Sequence, residues 1–224
     1  MPALKYTNPP ASEQELLAKT GQLAGKSLGQ VAREIKLQVP SDQIHHKGWI
    51  GKLAELYLGA TASNLAEPDF QLIGVELKTV PMNKHGNPKE STYVCTINLS
   101  DTTGVQWETS IVRKKLSRVL WLPVEAEPTI PYSQRRFGTA LLWSPGPDQE
   151  SVLQNDWEEI MDLIATGNLD QVSSSQGRYL QIRPKAASGV ALGKSYTQDG
   201  IPTTTLPRGF YLRASFTRTI LSEG

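Results

Sequence analysis

Three charged residues near position 70 have types and spacing that could support hydrolysis. Asp69 precedes a short apolar run, and Glu76 and Lys78 follow it. Alternate residues of a strand share a face, so we expect Glu76 and Lys78 to lie side by side. Neighbouring carboxylates repel each other and favour a cation between them, and an all-oxygen ligand set favours Mg²⁺. A lysine beside a metal-bound water could orient that water or help to deprotonate it.

A β-hairpin is predicted to position these side chains. The sequence predicts strands at 70–73 and 75–80, joined by a turn at Gly74. Val75 and Leu77 would point into a core, on the face opposite the charged residues. A charged strand face is ordinarily solvated, so this pattern by itself leaves a simple surface strand as the alternative.

A helix is predicted next to this hairpin. Apolar residues recur at helical spacing over 49–58, and Gly59 is a typical helix terminator. Glu55 lies in the middle of this helix, where an unpaired carboxylate would be costly. It is either a glutamate at the edge of the surface or a fourth charged member of the site.

Further helices and strands are predicted along the rest of the chain. Capping and periodicity predict further helices at 12–23, 27–35, 111–118 and 153–165. Alternating or continuous apolar runs predict further strands at 93–99, 119–124, 179–184 and 210–212.

Composition fits an ordinary globular protein. The 224 residues are 38% hydrophobic and 20% charged, enough for one sizeable domain. No run approaches the ~18 apolar residues of a membrane span, and the first residues lack a signal-peptide core, so we expect no membrane association. A single cysteine, Cys95, excludes an internal disulfide and fits the cytoplasm. With only three histidines, a structural zinc site is not expected.

Charge is unevenly distributed although the net charge is only +1. Segment 148–170 carries seven acidic residues and no lysine or arginine, so the remaining chain carries +8. Basic residues cluster at 113–118, at 135–136 and from 178 to 218. This separation is typical of a protein that places one side against phosphates. From charge alone, Lys115 could be solvated or could face a substrate.

Several motifs, in the same order along the chain, resemble the MutH family of DNA mismatch repair endonucleases. The spacing Asp-x6-Glu-x-Lys at 69–78 is also similar to the signature of the wider PD-(D/E)xK nuclease superfamily. The resemblance covers about residues 13–216. Its motifs are KGWIG (47–51), GVELKT (74–79), WETS (107–110), RVLW (118–121), LLWSP (141–145), YLQIRPKA (179–186) and LPRGFYL (206–212).

The resemblance implies a restriction-endonuclease-like fold of the mixed α/β (α+β) type, with a mixed β-sheet flanked by helices. It implies one endonuclease domain in two arms around a DNA-binding cleft, a catalytic arm at 12–103 and a DNA-recognition arm at 107–216. Family members need Mg²⁺, act as monomers and nick the unmethylated strand of hemimethylated GATC sites 5′ of the guanine. They are activated by MutL after MutS has found a mismatch. The alternatives are a type II-like GATC restriction endonuclease and a non-catalytic reader of GATC methylation.

The resemblance also implies roles for individual residues. Asp69, Glu76 and the Leu77 carbonyl would bind the metal, and Lys78 would be the catalytic lysine. Glu55 and Lys115 match a helical glutamate of the site and a basic residue near the scissile phosphate. The residues matched to DNA binding are Lys47, Arg183, Pro184, Lys185 and Tyr211, with Tyr211 sensing adenine methylation. Without the resemblance, Arg183 could be an edge-strand charge and Tyr211 a core residue.

Overall fold

The architecture was established from a computed structural model. Within the parts of the chain that it describes, no helix is both long and apolar enough to cross a lipid bilayer. Only the backbone is described for 193–196, 202 and 203. The described residues are 7–40, 48–62, 66–97, 99, 104–168, 173, 175–185, 193–196 and 202–223.

Short helices and short strands make up the described chain. The helices are α1 (Glu13–Leu23), α2 (Leu28–Glu34), α3 (Trp49–Leu58), α4 (Ile111–Leu116), α5 (Pro147–Ala165) and α6 (Ala214–Ser222). The strands are β1 (Glu76–Met82), β2 (Thr92–Thr96), β3 (Val119–Glu125), β4 (Leu141–Trp143), β5 (Leu180–Pro184), β6 (Gly193–Tyr196), β7 (Pro202–Thr205) and β8 (Arg208–Leu212). The predicted mixed α/β class is confirmed.

Two helix ends form where the sequence predicts them. The Ser12 hydroxyl accepts a hydrogen bond from the Glu15 amide at 3.2 Å and so caps α1. Gly59 ends α3 in a left-handed conformation with φ of +85°. A Cβ at this position would lie 2.5 Å from the Asn8 carbonyl oxygen, so both the backbone conformation and the space require glycine.

Contacts divide the chain into two compact units. The first unit comprises Met1–Glu90, Ser117–Ser144 and Ile220–Gly224, and the second comprises Ser91–Leu116 and Pro145–Thr219. These units do not coincide with the predicted arms at 12–103 and 107–216. The first unit is discontinuous in sequence because β1 pairs with β3, some forty residues further on, while most of the residues between them belong to the second unit. The arms and the cleft between them remain predictions.

The first unit contains a mixed sheet in the order β1-β3-β4. β1 runs parallel to β3, which pairs antiparallel with β4. Helix α3 packs against β1, and α1 and α2 pack against α3, so the apolar side chains of all three helices share one core with the sheet. Fully buried members of this core include Leu16, Leu28, Val31, Leu53, Leu58, Val75, Leu120 and Leu122.

The second strand of the predicted hairpin is confirmed as β1, but the predicted first strand at 70–73 is wrong. Residues 71–74 form a turn, and Phe70 joins Val75 only in an isolated bridge. The Phe70 amide donates to the Val75 carbonyl at 2.9 Å, and Gly74 has a φ of +66°. The short apolar run therefore closes a tight turn instead of forming a strand. Its bulky side chain, Phe70, is buried in the core, which explains the apolar signal.

The second unit contains an antiparallel sheet in the order β2-β8-β5 and a two-stranded pair, β6-β7. Helix α5 packs near β5, and α4 packs near β2. α5 begins at Pro147, six residues before the predicted start. Proline is well tolerated in a first helical turn, and the Gln149 side chain accepts a hydrogen bond from the Gly146 amide at 3.2 Å. The proline and the capping hydrogen bond lie before the apolar residues on which the prediction was based, so the predicted start was too late.

Candidate active site

Asp69, Glu76 and Lys78, here called the carboxylate–lysine cluster, come together at the start of β1. Their exposed fractions are only 9%, 3% and 9%. Lys78 Nζ donates to Glu76 Oε1 at 2.8 Å, and the Leu77 amide donates to Asp69 Oδ2 at 2.8 Å. Glu76 and Lys78 therefore lie side by side as predicted. Their burial excludes the alternative of a solvated strand face.

Backbone hydrogen bonds hold the two carboxylate-bearing residues from both sides. The Asp69 carbonyl accepts from the amides of Thr61 and Ala62 at 2.9 and 3.3 Å. The Glu76 amide donates to the Arg118 carbonyl at 2.9 Å, immediately before β1 and β3 begin to pair. The cluster is thus fixed by a loop after α3 and by the parallel strand pair.

The electrostatics of the cluster disfavour two free negative charges. Burial, and after it the charge of Glu76, raises the pKa of Asp69 to about 6 from its ordinary value of 3.8. The Leu77 amide and Lys78 act in the opposite direction, because both stabilise the charged carboxylate. The net upward shift means that Asp69 is short of positive charge in the protein alone.

Glu55 adds to this negative charge. Its charge also raises the pKa of Asp69, after the larger causes, so Glu55 lies within electrostatic reach of the cluster. Its side chain is 26% exposed and lies 3.4 Å from Lys52 Nζ. Glu55 therefore lies at the surface edge of α3, and its membership of the site remains a prediction.

The donor set fits a hard divalent cation. Mg²⁺ is usually bound through one or two carboxylates and keeps several of its waters, so Asp69 and Glu76 would be sufficient protein ligands. The raised pKa of Asp69 is the physical reason to expect a cation there. Among the described residues, no group of three or more His, Cys, Asp or Glu side chains is arranged to hold a metal ion. The Leu77 carbonyl as an additional ligand remains a prediction.

Two other predicted site residues do not enter this description. Lys115 lies on α4 in the second unit, where it is half-buried and follows the exposed residues Arg113 and Lys114. The Ser110 hydroxyl caps this basic helix by accepting from the Arg113 amide at 3.1 Å. Lys47 lies outside the described residues. A contact of either lysine with DNA remains a prediction.

The remaining predicted DNA-binding residues, Arg183, Pro184, Lys185 and Tyr211, share the β5-β8 strand pair and are here called the recognition edge. Arg183, Pro184 and Lys185 are exposed, and Tyr211 is half-buried, so Tyr211 is not a core residue. β5 is an edge strand of its sheet, which agrees with the alternative of Arg183 as an edge charge. The strand pair carries Arg183, Pro184 and Tyr211, and Lys185 follows β5 directly.

Two residues at this edge were missed in the sequence. Tyr93 is paired with Tyr211 across β2 and β8, and their ring centroids are 5.3 Å apart. Lys185 Nζ donates to the Thr96 hydroxyl at 2.8 Å and lies 5.2 Å from the centre of the Tyr93 ring. No local signal identifies Tyr93 or Thr96, because only the pairing of β2 with β8 brings them here.

Known proteins of one family are similar to this chain. The family model described as "DNA mismatch repair enzyme MutH" matches residues 58–156, which include the carboxylate–lysine cluster. Proteins named DNA mismatch repair protein MutH are similar over almost the whole chain. The one from Serratia proteamaculans is 49% identical over 215 residues, covering 96% of this chain and 94% of its own length.

Two further relatives carry the same name. The protein from Citrobacter koseri is 49% identical over 224 residues, covering 100% of this chain and 97% of its own length. The protein from Escherichia coli K12 is 48% identical over 216 residues, covering 96% of this chain and 94% of its own length. Almost half of the residues are identical, and the matched region covers nearly all of this chain and of each relative. This similarity shows common ancestry over the entire chain. The chain belongs to the MutH family of DNA mismatch repair endonucleases.

Proposed function

We propose that this endonuclease nicks the unmethylated strand of hemimethylated GATC sites on the 5′ side of the guanine, using Mg²⁺. It acts as a monomer in the cytoplasm and is activated by MutL after MutS has detected a mismatch. The observation that carries the proposal is the burial of Asp69, Glu76 and Lys78 at the start of β1, where Lys78 donates to Glu76 and the Leu77 amide donates to Asp69. A protein that only read methylation would have no use for this costly arrangement.

Each member of the cluster has a distinct task in this proposal. Asp69 and Glu76 hold the cation, with the Leu77 carbonyl as a further ligand. When bound, Mg²⁺ supplies Lewis-acid stabilisation of charge that builds up on the phosphate oxygens. Lys78 Nζ, 2.8 Å from Glu76 Oε1, orients the attacking water and offsets phosphate charge. Glu55 and Lys115 serve the same reaction as a supporting carboxylate and a phosphate contact.

Sequence recognition is assigned to the recognition edge. An exposed arginine such as Arg183 can pair bidentately with a guanine in the major groove. Tyr211 is held by its ring contact with Tyr93, so it presents a fixed surface to the adenine edge where a methyl group would lie. Pro184, Lys185 and Lys47 complete the DNA contacts of the proposal.

Plasmid nicking tests the proposal. Supercoiled plasmid with GATC sites is prepared in unmethylated, hemimethylated and fully methylated forms and incubated with the protein and Mg²⁺, with and without MutL and ATP. We expect open circles from the first two forms, none from the third, and faster nicking with MutL. EDTA should abolish the reaction. Sequencing of the nicked hemimethylated product should place the break 5′ of the guanine in the unmethylated strand.

Other products would favour the alternatives. Linear plasmid produced directly from hemimethylated substrate would indicate a GATC restriction endonuclease that cuts both strands. Binding that depends on methylation, but without cleavage under any of these conditions, would indicate a non-catalytic reader. Nicking that ignores the methylation state would contradict the proposed specificity.

A further inference from the structure

The recognition edge is anchored by a buried carboxylate far along the sequence from the nuclease motif. Asp156 lies on α5 and is only 6% exposed. Its Oδ1 accepts the Arg178 amide at 2.7 Å, and its Oδ2 accepts the amides of Tyr179 and Leu180 at 2.6 and 2.8 Å. Three consecutive amides that converge on one carboxylate form charge-assisted hydrogen bonds, which are stronger than neutral ones.

The same segment is held from its other side by Arg213. Arg213 follows β8 directly, and its Nε and Nη2 donate to the carbonyls of Gly177 and Gln176, each at 2.8 Å. The Arg213 amide also donates to the Tyr179 carbonyl at 2.8 Å. Donors and acceptors of the segment 176–180 are therefore fixed by two charged residues from different elements.

Asp156, Arg213 and the segment 176–180 that they bind are here called the anchor. Gly177 lies at its most closely packed point. Gly177 has a φ of +76°, which favours glycine. A Cβ at Gly177 would collide with the Leu180 carbonyl and would lie 3.3 Å from Asp156 Cγ. The chain can turn into β5 in this way only without a side chain at this position.

The anchor lies at the end of the strand pair that carries the recognition edge. Leu180, the first residue of β5, pairs with Leu212, the last residue of β8. From there the pairing runs through Gln181 and Tyr211 to Arg183 and Gly209. A slip of one residue in β5 would turn Arg183 to the opposite face of the sheet, so the anchor controls the presentation of Arg183.

We propose that Asp156 is a positioning residue for sequence recognition, which it supports by fixing the start and register of β5, with Arg213 as its counterpart. This inference rests on the proposed function, because it assumes that Arg183 and Tyr211 read GATC. Asp156 itself touches no DNA in this account. Its contribution is the precise placement of the strand that does.

Discrimination between related sequences tests the inference. Single-turnover nicking is measured on a hemimethylated GATC duplex and on a duplex with one base pair of the site changed, for wild type, Asp156→Asn and the control Glu159→Gln. Glu159 is an exposed acid on the same helix. For Asp156→Asn we expect the ratio of the two rates to fall about tenfold, within the range that one base contact supplies, with slow nicking of the altered duplex retained. Glu159→Gln should keep the wild-type ratio.

Hydrogen exchange separates positioning from general damage. In Asp156→Asn the amides of 178–180 should exchange faster, whereas those of β2 should be unchanged. A folded Asp156→Asn protein with the wild-type ratio would overturn the inference and leave the proposed function intact. A wild-type enzyme without preference for GATC would overturn both. If Asp156→Asn does not unfold cooperatively, Arg213→Lys decides the question: a reduced ratio supports the inference and an unchanged ratio overturns it.

Discussion

The carboxylate–lysine cluster and the recognition edge differ in how far their charged side chains are exposed to water. The carboxylate–lysine cluster is buried, and its Lys78–Glu76 pair is only 10% and 4% exposed. In the recognition edge Arg183 and Lys185 are exposed, although Lys185 Nζ also donates to the Thr96 hydroxyl. Buried charges interact strongly because few waters screen them, whereas exposed charges on a fixed backbone are accessible to DNA. In the proposed function, the buried cluster would carry out the chemistry and the exposed edge would read the DNA sequence.

A second ion pair shows that burial, not distance, distinguishes the cluster. Lys26 and Glu34 in the same unit also meet at 2.8 Å, but their side chains are 31% and 44% exposed. Exposed pairs of this kind contribute about 0–1 kcal/mol to stability, whereas breaking a buried pair is far more costly. The Lys26–Glu34 pair therefore provides matched controls for substitutions in the cluster.

The largest expected effect is on chemistry. Glu76→Ala should abolish nicking, and Lys78→Ala should leave no nicking visible in the plasmid assay, because it slows a single turnover by about 10²–10⁴-fold, the usual contribution of a positioned acid–base group. Binding of a GATC duplex, measured by fluorescence anisotropy without divalent metal, should survive. Glu34→Gln and Lys26→Ala should nick normally. Lost DNA binding with intact residual cleavage would reverse the roles assigned to the two regions.

The next effect is on stability and depends on pH. Because the pKa of Asp69 is raised in the folded protein to about 6, its contribution to stability is complete below pH 4 and is lost as the pH rises through 6. A shift of this size corresponds to about 3 kcal/mol. Metal-free Asp69→Asn should therefore be more stable than wild type at pH 7.5, with little difference at pH 3.5. Urea unfolding at both pH values measures this, and equal differences at both would show that Asp69 is solvated.

A smaller effect is expected at the recognition edge. Arg183→Ala should reduce the preference for GATC over a near-cognate duplex by about 1–3 kcal/mol, because a bidentate contact to guanine is lost. Competition binding at fixed salt measures the preference. If Arg183→Ala instead weakened binding to all sequences equally, Arg183 would be a phosphate contact and the recognition edge would not be the reading surface.

The smallest effect is expected at an ion pair that joins α1 to β3. Arg118 donates to Glu13 from Nε and Nη2 at 2.7 and 2.6 Å, and its carbonyl holds the Glu76 amide. These side chains are 33% and 40% exposed, so Glu13→Gln should cost no more than about 1 kcal/mol in thermal unfolding. Nicking should be nearly normal. A large loss of nicking in this variant would mean that the side-chain pair, and not only the backbone, positions Glu76.

Local signals in the sequence predicted most helices because their causes are local. The hydroxyl of Ser12 and the glycine at 59 act on their immediate neighbours, so both ends could be predicted without tertiary contacts. The prediction of a strand at 70–73 was wrong because its apolar signal has a non-local cause. Phe70 is buried in the core, but the residues after it form a turn.

The parts of the site that could not be predicted depend on non-local pairing. The motif at 69–78 suggested metal-dependent hydrolysis, but the burial of Glu76 and Lys78 depends on β3, which pairs with β1 from residue 119 onward. Tyr93 reaches Lys185 only through β8. The pairing of strands so far apart produces no periodic pattern in a single sequence. The neighbours of the site could therefore be identified only from the structure.

Metal binding is the most direct test of the account, in which Asp69 and Glu76 hold a divalent cation. Mn²⁺, a paramagnetic substitute for Mg²⁺, is titrated into the complex of the protein with a GATC duplex, and free Mn²⁺ is measured by electron paramagnetic resonance. Wild type and Glu34→Gln should deplete free Mn²⁺ equally, whereas Glu76→Gln should leave it in solution. Undiminished Mn²⁺ binding by Glu76→Gln would contradict the account.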